Sequence, residues 1–231
     1  MTRFFSRTGQ IHCRVYENSR VAGATFLLDF HERSYQGGGA ANSAELAIVT
    51  VASLANAVSL MGQQIGFASN GRDSADRIRE EGWGAEFTSR RDAHRRASEA
   101  QANTRLRPVI VETRKGDAQL RQILETLARL EHTDGLEFSE MLSEVASEIP
   151  RDATMVAVLR RVTPAIAASL GELVRRGFLV TVIVVSIELE MTPDWAQPPD
   201  WAQMLLAQNI DFRVVNTEES VANLCAEAIV R

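Results

Sequence analysis

The hydrophobic pattern breaks the chain into short apolar runs separated by polar, glycine-rich or helix-patterned stretches. Ala24 to Phe30 is the first strong run, and its consecutive Phe26, Leu27 and Leu28 suit a strand covered on both faces. It ends on Asp29 and leads through Gly37-Gly38-Gly39 into a stretch, about Ser43 to Met61, that is apolar nearly all round. That stretch predicts a deeply buried helix, capped by Asn42 or Ser43 and ended by Gly62. Gln64 to Ser69 reads as a second strand closed by Asn70-Gly71, and Pro108 to Glu112 as a third. Apolar residues at helical spacing (Leu120, Ile123, Leu124, Leu127, then Phe138, Met141, Leu142, Val145) predict helices over Asp117–Leu130 and Glu137–Glu148.

From Ile149 the alternation is regular. Ala153 to Leu159 is a strand, Thr163-Pro164 opens a helix with proline at its first position, and Phe178 to Ile187 is an almost unbroken β-branched run. Asp200 to Gln208, Asp211 to Val215 and Thr217 to Val230 read as helix, strand and helix. Alternation of this kind predicts an α/β fold: a doubly wound, mostly parallel central sheet with helices on both faces, a Rossmann-type three-layer sandwich. Ahead of it, Ile11 to Glu17 alternates as an extra N-terminal antiparallel strand. One region departs from the pattern. Arg72 to Arg107 is crowded with both charge signs around Gly82-Trp83-Gly84 and reads as a solvated excursion, part of it helical (Asp73–Glu81 and Asp92–Ala102).

Composition narrows the function classes. With 231 residues, 45% hydrophobic and 24% charged, the chain can bury a substantial core. A net charge of −5 gives no electrostatic reason to expect nucleic acid. Cys13 and Cys225 make no metal-type spacing, and a reduced, soluble, cytoplasmic protein is the expectation. No apolar leader opens the chain, and Glu45, Thr50, Ser53, Asn56 and Ser59 interrupt the one stretch long enough to cross a membrane.

Several phrases converge on a family. Arg7-Thr-Gly9 before a strand ending in Tyr16-Glu17, Phe26-Leu-Leu-Asp29, Ile65-Gly-Phe67 with Asn70-Gly-Arg-Asp73, Leu120 to Leu130, and Arg175-Arg-Gly177 resemble the bacterial domain of unknown function 58 family. Those proteins carry a von Willebrand factor A-like domain, and the order of elements resembles that layout. The resemblance implies that residues 1–23 are the remnant of an upstream family region and that 24–231 form one A-like domain with the excursion at 72–107. It also implies either a naturally shortened relative or a C-terminal fragment of a longer, membrane-anchored protein.

A-type domains often hold Mg²⁺ on an Asp-x-Ser-x-Ser motif plus a Thr and an Asp from other strand ends. Asp29 matches the first position, but His31 and Arg33 stand where the serines belong, and Arg160-Arg161 follows the strand where an acidic residue is expected. A guanidinium repels a cation and donates no lone pair. The resemblance therefore implies a degenerate metal site with no cofactor, leaving Asp29, Ser34 and Thr113 as residual ligands. Arg33 or Arg160 is expected to supply the positive charge beside Asp29.

Other chemistry is poorly supported. Gly37 to Gly39 lacks the spacing of a dinucleotide loop, and there is no Gly-Lys-Ser/Thr phosphate loop. His31-Glu32 has Tyr35 where a zinc-protease helix needs its second histidine, no nucleophile elbow is present, and His12, His94 and His132 are isolated. The expectation is a non-enzymatic protein-interaction module. By resemblance its partner is a MoxR-type AAA ATPase in an envelope-associated assembly. The contact candidates are Asp29, His31, Arg33, Arg160, Arg161, Trp83, Trp195 and Trp201, the last two within the repeat Pro193-Asp-Trp-Ala-Gln and Pro199-Asp-Trp-Ala-Gln. The rival is a nucleotide- or metal-binding enzyme using Asp29 and the glycine loop.

Overall fold

In a computed structural model of the chain the described residues are 4–5, 11–12, 23–81, 106–186 and 198–230. The sequence expectations for Trp83, Trp195, the Asp92–Ala102 helix and the strand beyond His12 lie outside them.

Six strands form the central sheet: β3 (Gly23–Leu28), β4 (Gln64–Ser69), β6 (Val109–Arg114), β8 (Ala153–Leu159), β9 (Leu179–Val185) and β10 (Asp211–Val215). Their spatial order is β10-β9-β8-β3-β4-β6, and every pairing is parallel except that of β6 with β4. Counted from the β6 edge, the sheet strands run third, second, first, fourth, fifth, sixth, the doubly wound order. The chain winds one way from β3 and returns to the other side at β8, so the topological switch point lies between these two strands, at their carboxyl ends.

Two layers of helices cover the sheet. The residues of β3 alternate between them: Phe26 and Leu28 join one core cluster, Leu27 the other. On the first face lies α1 (Ala40–Leu60), packed against α3 (Asp117–Ala128) and α7 (Glu218–Val230). Ala47, Val51 and Ala55 of α1 are wholly buried, and the two alanines leave room for close approach to the strands. On the second face α4 (Phe138–Val145), α5 (Pro164–Arg175) and α6 (Asp200–Ala207) bury Phe138, Met141, Leu170 and Leu205. Each such fully buried large side chain contributes roughly 1.5–3 kcal/mol of transfer free energy. The expected three-layer α/β sandwich is the observed architecture. α1 is long and apolar enough to cross a membrane by length and composition, but its apolar residues pack into the core cluster of the first face.

Three local features differ from the sequence expectation. The strand at 109–114 enters antiparallel to β4, at the sheet edge. A register shift between Ile65 and Phe67 accompanies that pairing, and Gln119 of α3 reaches in to donate to the carbonyls of Ile65 and Glu112. Gly66 permits the close approach: a Cβ there would lie 2.2 Å from Thr113 Oγ1. Second, β1 (Phe4–Phe5) and β2 (Ile11–His12) pair antiparallel with each other, outside the central sheet. Third, Leu130–Glu131, expected at a helix end, forms β7 and pairs antiparallel with β5 (Arg72–Asp73), just ahead of α2 (Ser74–Glu81).

Candidate functional site

Asp29 follows β3 at the switch point, and its N–H continues the sheet by donating to Val158 O at 3.1 Å. The residue is 1% exposed. A carboxylate so placed needs donors, and the chain supplies them locally and from afar. The turn Glu32–Tyr35 is 3₁₀, which brings Ser34 back over the strand end, where its hydroxyl donates to Asp29 Oδ2 at 2.6 Å. Oδ1 accepts from His31 N at 3.2 Å and from Asn70 Nδ2 at 3.0 Å. Asn70, at the end of β4, also donates to Leu136 O at 3.1 Å and accepts from Phe30 N at 2.7 Å through Oδ1. One buried amide thus joins the ends of two strands to the segment ahead of α4.

Burial lifts the Asp29 carboxyl above its ordinary value, although hydrogen bonds from Ser34, Asn70 and His31 N and the nearby imidazole pull the other way. Tyr35 donates to Asp29 O at 3.0 Å, and its hydroxyl is pushed far upward by burial and by the Asp29 carboxylate, with Arg160 opposing. Its ring lies 5.4 Å from Phe30, on which His132 stacks at 3.9 Å. Thr133 holds the other side of the turn, accepting from Glu32 N at 2.9 Å.

The arginines are deployed elsewhere than on the Asp29 carboxylate. Arg33 turns outward, 77% exposed, and pairs with Glu137 at 2.9 Å. Glu137 is the N-cap of α4 and closes a capping box with Glu140. His31 is buried; its Nδ1 accepts from Arg33 N at 3.1 Å, and its Nε2 lies 3.8 Å from Glu137 Oε1. Arg160, at the end of β8 and 8% exposed, threads into the loop after the 3₁₀ turn. It donates through Nη1 to Ser34 O and Gln36 O (3.0 and 2.9 Å) and through Nη2 to Gly38 O (3.1 Å). Gly37 and Gly39 have φ of 92° and 65°, the left-handed turns that let alternate carbonyls converge on the guanidinium. A phosphate cradle presents N–H groups to its anion, whereas this glycine loop presents carbonyls to a cation.

Thr113, the third residual metal ligand, is not brought to this site. Because β6 is antiparallel, Thr113 falls towards the amino ends of the other strands, where its Oγ1 lies 2.8 Å from Thr25 Oγ1. Among the described residues no group of three or more His, Cys, Asp or Glu side chains gathers as for a metal ion.

No protein-family model and no curated protein sequence matches the chain. Solved structures do. The chain is similar to the pilus adhesin SpaC from Lactobacillus rhamnosus GG, with a TM-score of 0.54 and 9% identity over 90% of this chain and 30% of the adhesin. The adhesin's open conformation gives 0.50 and 10% over 90% and 29%. The chain thus spans under a third of the adhesin's length, and at such identity the likeness concerns the fold alone.

Two further candidates lie beside the loop. Arg161 is exposed, with a hydrogen bond of 3.3 Å to Gln36 O, and Trp201 is half-buried at the start of α6, edge-on to Phe212 at 5.1 Å. Of the residues singled out from sequence, the structure places Asp29, His31, Arg33, Ser34, Arg160 and Arg161 around the strand-end turn and Trp201 beside it. Asn70 was read as a turn former and part of a family-like phrase, not as a site residue, and Tyr35, His132 and Glu137 were not singled out for the site. The signal available for Asn70 was its position: like Asp29, it directly follows a buried strand.

Proposed function

We propose that the chain is a non-enzymatic protein-interaction module that docks a partner through the carboxyl edge of its sheet. In this reading it is an A-like domain of the domain of unknown function 58 type with a degenerate metal site, acting in the cytoplasm with a MoxR-type AAA ATPase. The observation that carries it is the use made of Asp29. Both carboxylate oxygens are engaged by the chain itself, and the neighbouring loop is fastened by a guanidinium. Binding Mg²⁺ there would require displacing Ser34 or Asn70 and accepting a cation next to Arg160, which ligand chemistry disfavours. Among the described residues of that edge, Arg33 and Arg161 are exposed and Trp201 is half-buried, side-chain types enriched at protein interfaces. The strand order with an antiparallel edge strand supports the A-like assignment, and the likeness to an adhesin adds only the shared layout, since one fold hosts many functions.

The test is interferometry of the chain against a purified MoxR-type ATPase from the same genome. The wild type should bind, and Arg33→Glu should weaken binding by about tenfold with an unchanged melting temperature. Absence of wild-type binding would sink the ATPase assignment; full binding by Arg33→Glu would move the interface away from this edge.

A further inference from the structure

Beside the Arg160 latch the carboxyl edge opens into a depression of about 340 Å³. Its floor is apolar, from Val162, Val184 and the Trp201 ring, and its rim carries Arg161, Thr163 and Ser186. Arg160 closes one wall, its guanidinium turned to the loop carbonyls. Among the described residues the lining holds two arginines and no carboxylate, in a chain whose net charge is −5. Arg161 is exposed and makes a long hydrogen bond to one carbonyl, which leaves most of its fork of donors open. Thr163 and Ser186 add hydroxyls, and Thr163 also caps α5 by accepting from Ile166 N at 3.3 Å.

We infer that this depression is the anchor point for an acidic peptide segment of a partner protein. A partner carboxylate binds the open face of Arg161, bidentate, with the hydroxyls of Thr163 and Ser186 as further donors; an adjacent apolar side chain lies on Trp201 and the two valines. The pairing follows from charge complementarity and from the fork geometry of guanidinium, which matches a carboxylate better than an ammonium does. The inference rests on the protein-interaction reading above and specifies its partner's chemistry. It also assigns Arg160 a structural role and Arg161 the contact, although the two are neighbours in sequence with the same charge.

The experiment is fluorescence anisotropy of the full chain with a labelled octapeptide of alternating Glu and Leu, against the same peptide with Gln for Glu. The acidic peptide should bind with an affinity that falls as salt rises, and the Gln peptide about tenfold more weakly. Arg161→Glu should lower acidic-peptide affinity by about tenfold or more, and Arg161→Lys by less, since it keeps the charge and loses the fork. Arg121→Glu, on an exposed position of α3, makes the same change in net charge and should leave binding as in the wild type. Equal binding of the two peptides, wild-type binding by Arg161→Glu, or an equal loss in Arg121→Glu would overturn the assignment. Peptide binding without ATPase binding leaves the pocket standing and removes that partner. ATPase binding retained by Arg161→Glu leaves the interaction module standing and removes the pocket.

Discussion

Strand β3 carries two polar clusters, one near each end, and they solve burial in opposite ways. Towards the amino end, Thr25 and Thr113 share one hydrogen bond across Gly66, with Gln119 nearby bonding backbone carbonyls. That cluster is neutral and fixes how β6 sits against β4. Beyond the carboxyl end, Asp29 places a charge in the interior and needs Ser34, Asn70 and a backbone N–H to hold it. A neutral cluster can be replaced by apolar groups of the same shape at little cost, but a buried carboxylate with one donor removed is left under-solvated. The contrast separates the part of the sheet that serves folding from the part built around a fixed loop.

The largest effect should come from Asn70→Ala, which takes the acceptor from Phe30 N and a donor from both Asp29 Oδ1 and Leu136 O, leaving Oδ1 with His31 N alone. Chemical denaturation should show a loss of about 4 kcal/mol. A loss comparable to an exposed substitution would mean that the network around Asp29 is not cooperative. Arg160→Met comes next: three charge-assisted hydrogen bonds to the loop disappear, for about 2–3 kcal/mol. Hydrogen exchange should then quicken across residues 34–39 while the sheet amides keep their protection; uniform loosening would deny Arg160 its role as a latch.

A third test uses pH. Because burial raises the Asp29 pKa in the folded state, the protonated form is the one folding favours. The contribution is fully present below the ordinary value of 3.8 and is lost as pH rises through the folded value. The stability of the wild type relative to Asp29→Asn, which does not titrate, should therefore increase as pH is lowered from neutrality. A difference that shrinks on acidification would reverse the assigned sign. The smallest effect belongs to the other cluster: the double variant Thr25→Val with Thr113→Val should unfold within about 1 kcal/mol of the wild type.

Most of the architecture was readable because the runs are local. Gln64–Ser69, Ala153–Leu159 and Asp211–Val215 stand where apolar runs between polar breaks place them. The orientation of β6 was not, because Val109–Arg114 reads the same in either direction and a long charged stretch precedes it. The start of α1 lies three or four residues ahead of the expected Asn42 or Ser43 cap: its N-cap is Gly39, with no side-chain cap, and Ser43 is buried one turn in. Asp29 was legible as a strand-end carboxylate, and Ser34 as an oxygen in shifted register. The roles of the arginines were not legible, since guanidiniums expected beside Asp29 went instead to Glu137 and to loop carbonyls contributed by the 3₁₀ turn and the glycines. The donors that engage Asp29 come from 2, 5 and 41 residues away, whereas the partners of Arg33 and Arg160 lie more than a hundred residues away, which is why the latter escape a local reading.

Asp29 is engaged by the chain's own donors, and in the proposed reading it therefore holds no metal. Melting temperature measured across a millimolar titration of Mg²⁺ and of Mn²⁺ tests it directly, because any ion that binds only the folded state raises the midpoint by mass action. The account predicts no shift beyond the general salt effect, the same in wild type and Asp29→Ala. A clear rise in the wild type that Asp29→Ala abolishes would contradict it.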